Sequence, residues 1–236
     1  MDDVVHLRST VCLLGRFPAL SGVDLSVTSG ETVLVAGANG AGKTTLLRAL
    51  AGLVAVVEGE AVVLGCDLRH DRRSFRRRVG LLGHGAALYD DLSVADNLRF
   101  WARAGRRPTA TVDHAMARLG LAGRLAAVPA GRLSTGQRRR ACLAAMVVRA
   151  PELWLLDEPH AGLDAVGRDI LDDLIREVTA AGATVILASH ELDRARALAT
   201  RTVTLAGGRI SAEDRRAGAT VIGASARPVG EPLHVA

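Results

Sequence analysis

Gly37-Ala38-Asn39-Gly40-Ala41-Gly42-Lys43-Thr44 sets one lysine and one hydroxyl behind three glycines, the spacing with which a backbone loop cradles a phosphate chain. Lys43 is the single lysine among 30 basic residues; all the others are arginine. A compact ammonium on a flexible stem slips between phosphate oxygens, whereas a guanidinium is a wide planar fork. The position therefore resists the arginine preference of the chain for a chemical reason. Gly37, Gly40 and Gly42 let backbone N–H groups turn inward, and a following helix adds the positive end of its dipole. Lys43 then reaches the outer phosphates. Thr44 stands where a hydroxyl ligates Mg²⁺, with Thr45 beside it.

Two further groups of candidates close apolar runs. Leu153-Trp154-Leu155-Leu156 leads into Asp157-Glu158-Pro159, which reads as a buried parallel strand delivering two carboxylates at its C-terminal edge. Asp157 suits Mg²⁺ held through water, and Glu158 suits the water that attacks a γ-phosphate. An acidic pair in that place is also a common turn. Val185-Ile186-Leu187-Ala188-Ser189 ends in His190; a lone histidine is more often structural, but one directly after a strand, in line with the other two motifs, points to function.

The elements that must position these groups follow from periodicity. Residues 32–36 are a β-branched strand before Gly37, and residues 43–53 carry leucines at helical spacing. Residues 3–30 and 58–66 read as antiparallel strands, residues 92–149 as helices with Ser93 as one cap, and residues 164–181 as an amphipathic helix stopped by Gly182. From Ser211 to Ala236 periodicity is lost, and a loosely ordered tail is expected.

Leu133-Ser134-Thr135-Gly136-Gln137 resembles the signature motif of ATP-binding cassette (ABC) ATPases, with Thr135 in place of the first glycine. Ser134 is a good helix N-cap and Gly136 permits close backbone approach. The resemblance covers about residues 3–210 and implies an α/β P-loop ABC ATPase fold with a RecA-like core, an antiparallel β-lobe and a helical lobe over about 84–150. It implies ATP and Mg²⁺ as ligands, and a head-to-tail dimer in which Ser134, Gly136 and Gln137 face ATP held by the opposite subunit. Ala161-Gly162-Leu163-Asp164 resembles the loop that crosses that interface, which gives Asp164 a place near nucleotide, and His190 matches the switch histidine. His84 stands where the family has a glutamine reaching Mg²⁺, and Leu14 where it stacks an aromatic on adenine, with Phe17 the nearest substitute.

Composition narrows the class further. A guanine-reading Asn-Lys-x-Asp motif cannot exist in a chain whose only lysine is Lys43, which argues against a GTPase. No apolar run approaches the ~18 residues of a membrane helix, and the acidic Met1-Asp2-Asp3 start does not read as a signal peptide. Cys12, Cys66 and Cys142 are widely spaced and read as reduced thiols. The net charge of +5 with only 3% aromatics speaks against base stacking, so no nucleic-acid partner is expected. Six arginines within 69–78 read as a solvated face, and Arg138-Arg139-Arg140 as either a solvated face or a direct participant.

A cassette of this kind works with a transmembrane permease on a separate chain and a second ATP-binding subunit, expected to be an identical copy. It would lie peripherally on the cytoplasmic face of the cell membrane. The stretch 80–98 resembles the ATP-binding subunits of bacterial exporters, especially the haem-exporter type of cytochrome c biogenesis, where the histidine also replaces glutamine. The alternative is a non-transport ABC ATPase acting on nucleic acid or ribosomes.

Overall fold

In the computed structural model, which describes residues 3–83 and 88–215, alternation along the parallel strands divides the interior in two. The chain begins β1 (Asp3–Leu14), β2 (Phe17–Thr28), β3 (Thr32–Ala36), α1 (Lys43–Leu50), β4 (Val56–Val63), β5 (Cys66–Asp67) and β6 (Val79–Leu82). Three helices follow, α2 (Val94–Ala104), α3 (Ala110–Arg118) and α4 (Thr135–Arg149). It continues through β7 (Leu153–Asp157), α5 (Ala165–Ala180), β8 (Thr184–Ala188), α6 (Leu192–Leu198), β9 (Arg201–Ala206) and β10 (Arg209–Arg215).

One sheet has the order β10-β9-β3-β8-β7-β6, parallel from β9 to β6. Because successive strand side chains point to opposite faces, Leu34, Trp154, Leu156, Val185 and Leu187 join α2–α5 in one core. Val33, Val35, Leu153, Leu155, Ile186 and Ala188 join α1 and the second sheet in another. That second sheet, β2-β1-β4-β5, is antiparallel and is the expected β-lobe. α1 therefore lies between the sheets, with Leu46, Leu47 and Leu50 fully buried.

The helical stretch forms as the sequence predicts. Ser93 caps α2 by accepting from the Asp96 N–H, and Val94 and Leu98 are buried. Leu171, Leu174 and Ile175 bury one face of α5, and Gly182 (φ +96°) follows its end. Two boundaries differ. α1 ends at Leu50, not near 53, because the chain turns at Gly52 (φ +69°), where a Cβ would lie 2.6 Å from the Arg72 carbonyl. Residues 211–215, expected to be loose, complete β10, whose pairing with β9 runs from Arg209↔Ala206 to Arg215↔Arg201; the rest of that expected tail lies outside the described residues.

Arg69, Arg72, Arg73, Arg77 and Arg78 are exposed, and Arg78 pairs bidentately with Glu152 (2.5 and 2.7 Å). All three cysteines are free thiols; burial pushes Cys12 up to about 11, so it is neutral and unreactive at ordinary pH.

Candidate functional site

The chemistry-bearing residues gather at the C-terminal ends of β3, β7 and β8, the edge at which open parallel sheets bind ligands. Beyond β3 the chain turns through Gly37 (φ +145°) and Gly42 (φ +108°) into α1. A Cβ on Gly37 would sit 2.3 Å from the Leu205 carbonyl, and one on Gly42 would sit 2.6 Å from the Ala19 carbonyl. Both positions need glycine for space as well as for backbone freedom. α1 has neither a side-chain cap at Gly42 nor an acidic residue in its first turn, so its own residues add no negative charge to the positive end of its dipole. Ala38, Asn39 and Gly40 are exposed and Ala41 and Thr45 are buried. Lys43 is largely buried, and its ammonium donates to the carbonyls of Gly37 (2.8 Å) and Ala38 (3.1 Å). The loop thus holds its cation in place by its own carbonyls.

Asp157 shares strand parity with Leu153 and Leu155, so its side chain falls on the α1 face. There it accepts a hydrogen bond from the Thr44 hydroxyl at 2.9 Å. Both groups are hard oxygen donors of the kind Mg²⁺ takes alongside phosphate oxygens.

Glu158 adopts a left-handed backbone (φ +48°), sparsely populated for residues other than glycine. Its N–H donates to the Ala188 carbonyl (2.8 Å) at the end of β8. Its carboxylate accepts from the His190 N–H (3.0 Å) and lies 3.3 Å from His190 Nε2. The His190 side chain is 57% exposed and that of Glu158 is 19% exposed, so both face the opening and not the core.

Ser134 caps α4 in a reciprocal capping box: its hydroxyl accepts from the Gln137 N–H (3.3 Å), while Gln137 Oε1 accepts from the Ser134 N–H (3.0 Å). Gly136 packs so tightly that a Cβ there would meet the Gly162 carbonyl at 2.8 Å, and Thr135 lies against Gly162. Among the described residues no hydrogen bond joins Ser134, Gly136 or Gln137 to the 37–44 loop of the same chain. Asp164 caps α5 by accepting from the Gly167 N–H at 2.8 Å. His84 lies outside the described residues. Leu14 and Phe17 are exposed at the β1–β2 turn.

Two participants lie outside the sequence motifs. Arg139 reaches the carbonyls of Gly83, Asp157 and Glu158, while its neighbours are used elsewhere, Arg138 on Asp90 (2.6 Å) and Arg140 on the Leu119 carbonyl. Sequence leaves open which of three adjacent arginines turns inward, and only the helix phase of α4 decides it. His160 is buried and bonds Asp172 (2.8 Å), which also takes Arg194 from α6 (2.5 Å). This chain of contacts braces the segment after Glu158 against the helix after His190. His160→Ala is expected to lower unfolding free energy by about 1–3 kcal/mol, by leaving one Asp172 oxygen unpaired; a urea midpoint equal to the parent's would contradict it.

Comparison with known proteins gives the family. A family described as ABC transporter matches residues 20–161. The chain belongs to the ABC transporter family. The cytochrome c biogenesis ATP-binding export protein CcmA of Paramagnetospirillum magneticum is 40% identical over 197 residues, spanning 80% of this chain and 88% of that protein. The daunorubicin resistance ATP-binding protein DrrA3 of Streptomyces coeruleorubidus is 40% identical over 218 residues, spanning 90% of this chain and 68% of that one. Among solved structures, an ATP-binding subunit of an ABC transporter matches with TM-score 0.83 and 25% identity, covering 90% of each chain. A dimeric cassette in a post-hydrolysis state, bound to ADP and Pi, matches with TM-score 0.82 and 23% identity over 89% of this chain and 98% of that one. This ABC protein is accordingly an ATP-binding, ATP-hydrolysing subunit of exporter type with the P-loop cassette fold. Among the described residues no helix is long and apolar enough to cross a membrane.

Proposed function

We propose that two copies of this cassette close head to tail on two ATP molecules and drive a separate transmembrane permease of an exporter resembling the cytochrome c biogenesis type. The observation that carries the reading is the joining of Thr44 to Asp157 and of Glu158 to His190 at one sheet edge. Lys43 and the N–H groups of the 37–44 loop bind the β- and γ-phosphates. Thr44 and Asp157 hold Mg²⁺, which when bound neutralises charge on the phosphate oxygens. Glu158 orients a water against the γ-phosphate and takes its proton as the bond to the ADP oxygen breaks. His190, beside that carboxylate, keeps its exposed ring towards the γ-phosphate.

Ser134, Gly136 and Gln137 address the nucleotide of the partner copy. The exposed, capped start of α4 supports that reading. Asp164 serves the same interface from the start of α5. His84 takes the place of the family glutamine towards Mg²⁺ and the permease. The protein then works peripherally at the cytoplasmic face of the membrane. The cassette domain runs from the N-terminus to about residue 210 and the β10 residues that follow, with the helical lobe reaching the permease.

The test is recovery of tagged Glu158→Gln protein from gently solubilised membranes of the source cell with ATP present, followed by size analysis. A dimer carrying a multi-span membrane protein in stoichiometric yield is expected. A monomer with ATP, or recovery of ribosomes or nucleic acid alone, would overturn the reading. Cargo is then assayed on the recovered complex with haem and with an anthracycline, because the cytochrome c biogenesis and daunorubicin-resistance relatives are equally identical to this chain.

A further inference from the structure

We propose that Arg139 is a positioning residue for hydrolysis, clamping the backbone of Asp157-Glu158 and the carbonyl of Gly83 to the first turns of α4. Its Nη1 donates to the Gly83 carbonyl at 3.1 Å, and its Nη2 donates to the carbonyls of Asp157 (3.1 Å) and Glu158. The guanidinium is used on three carbonyls drawn from the ends of β6 and β7. A planar fork with five donors fixes the orientation of peptide planes in a way that a point charge cannot.

The residue most dependent on such a clamp is Glu158. Its left-handed backbone is strained and persists only where its surroundings hold it. On one side its N–H is bonded to the Ala188 carbonyl; on the other its carbonyl takes Arg139 together with the Ala161 N–H (3.2 Å). With both flanking peptides pinned, the carboxylate is aimed at His190. Burial lowers the Arg139 pKa, and the partly buried cation still prefers these carbonyl dipoles to apolar surroundings. Nε of Arg139 is buried and finds no partner among the described residues, a cost that a merely solvated arginine would avoid by turning outward.

The arrangement also has a reach beyond one site. α4 begins at Ser134 and Gly136, and Arg139 lies little more than one turn further along. A single side chain therefore couples the part of the cassette that faces the partner's nucleotide to the carboxylate that serves its own. This inference rests on the proposed role of Glu158.

The experiment measures steady-state ATPase rate and equilibrium ATP binding for the full chain as parent, Arg139→Ala, Arg139→Gln and Glu158→Gln, with ethylguanidinium added to the Arg139→Ala protein. Misplacement of a reacting group by about 1 Å costs on the order of a hundredfold, and a fall in kcat of that size is expected for Arg139→Ala, with ATP affinity unchanged. Ethylguanidinium should restore part of the turnover, which a purely structural role would not produce. Arg139→Gln keeps much of the packing and is expected to fold and to show the same kcat loss. Parent-like kcat in either folded Arg139 variant, or a loss matched by an equal loss of ATP binding and not rescued, overturns the inference. If Glu158→Gln itself turns over at the parent rate, the role given to Glu158 has failed, and the Arg139 proposal falls with it. If Glu158→Gln is inactive while Arg139→Ala is not, only the clamp is refuted.

Discussion

Glu158→Gln is expected to lower ATP turnover by about a hundredfold to ten-thousandfold, the range over which a positioned general base acts, while ATP binding survives. The substitution keeps the side-chain length, so Oε1 of the amide can still accept from the His190 N–H that Glu158 Oε2 engages at 3.0 Å. What it removes is the negative charge that, in the proposed role, takes the proton of the attacking water. The phosphate contacts proposed for the 37–44 loop and the start of α1 lie outside the changed side chain. Phosphate release and fluorescent-ATP binding on the same preparation separate the two quantities. Turnover within a few-fold of the parent would transfer the base role to another group, and His190 would be the first to examine.

Arg201→Ala is expected to cost about 3–5 kcal/mol of stability, because it strands a buried carboxylate. The Arg201 and Glu31 side chains are 4% and 5% exposed and meet through two contacts, Nε at 2.7 Å and Nη2 at 3.1 Å. Nη2 also donates to the Ser26 carbonyl and Nη1 to Glu213, so one guanidinium links the ends of β2, β9 and β10 to the start of β3. A hydrogen bond from the Arg201 guanidinium holds the Glu213 carboxyl below its ordinary pKa, a direction that adds stability above the acid range and loses it as pH falls through the lowered value. Urea denaturation of parent and variant at neutral pH measures the cost. A loss below about 1 kcal/mol, the scale of exposed pairs, would show that water reaches the stranded Glu31.

The contrast between these two sites explains what was legible in the sequence. The phosphate loop, the two strand-terminal carboxylates and the capping box are local: a few adjacent residue types and their order carry the chemistry. Their elements are legible too, because Leu153–Asp157 and Thr184–Ala188 are continuous apolar runs. Glu31 is 170 residues from Arg201, and Glu213 lies on a strand the sequence does not reveal, so the three become partners only when β9 settles between β3 and β10. The same holds for Arg139 and His160, whose partners lie on other elements. β10 was hidden for a different reason. Residues 209–215 alternate weakly and are mostly exposed, so nothing in their hydropathy separates an edge strand from a tail. The leucine pattern of α1 runs on to Leu53, whereas the backbone turn at Gly52 decides where the helix stops.

The sharing of β7 between two cores gives it the property of a reading frame. Leu153 and Leu155 face one interior, Trp154 and Leu156 the other, and Asp157 inherits its side from this count. Exchange of one apolar residue for another leaves the phase intact. Deletion of a single residue would move tryptophan into the space of leucine and turn the Asp157 carboxylate away from Thr44, however well the remaining types were kept. Substitution along such a strand is therefore limited by packing alone, whereas a change in its length sends every side chain to the other face.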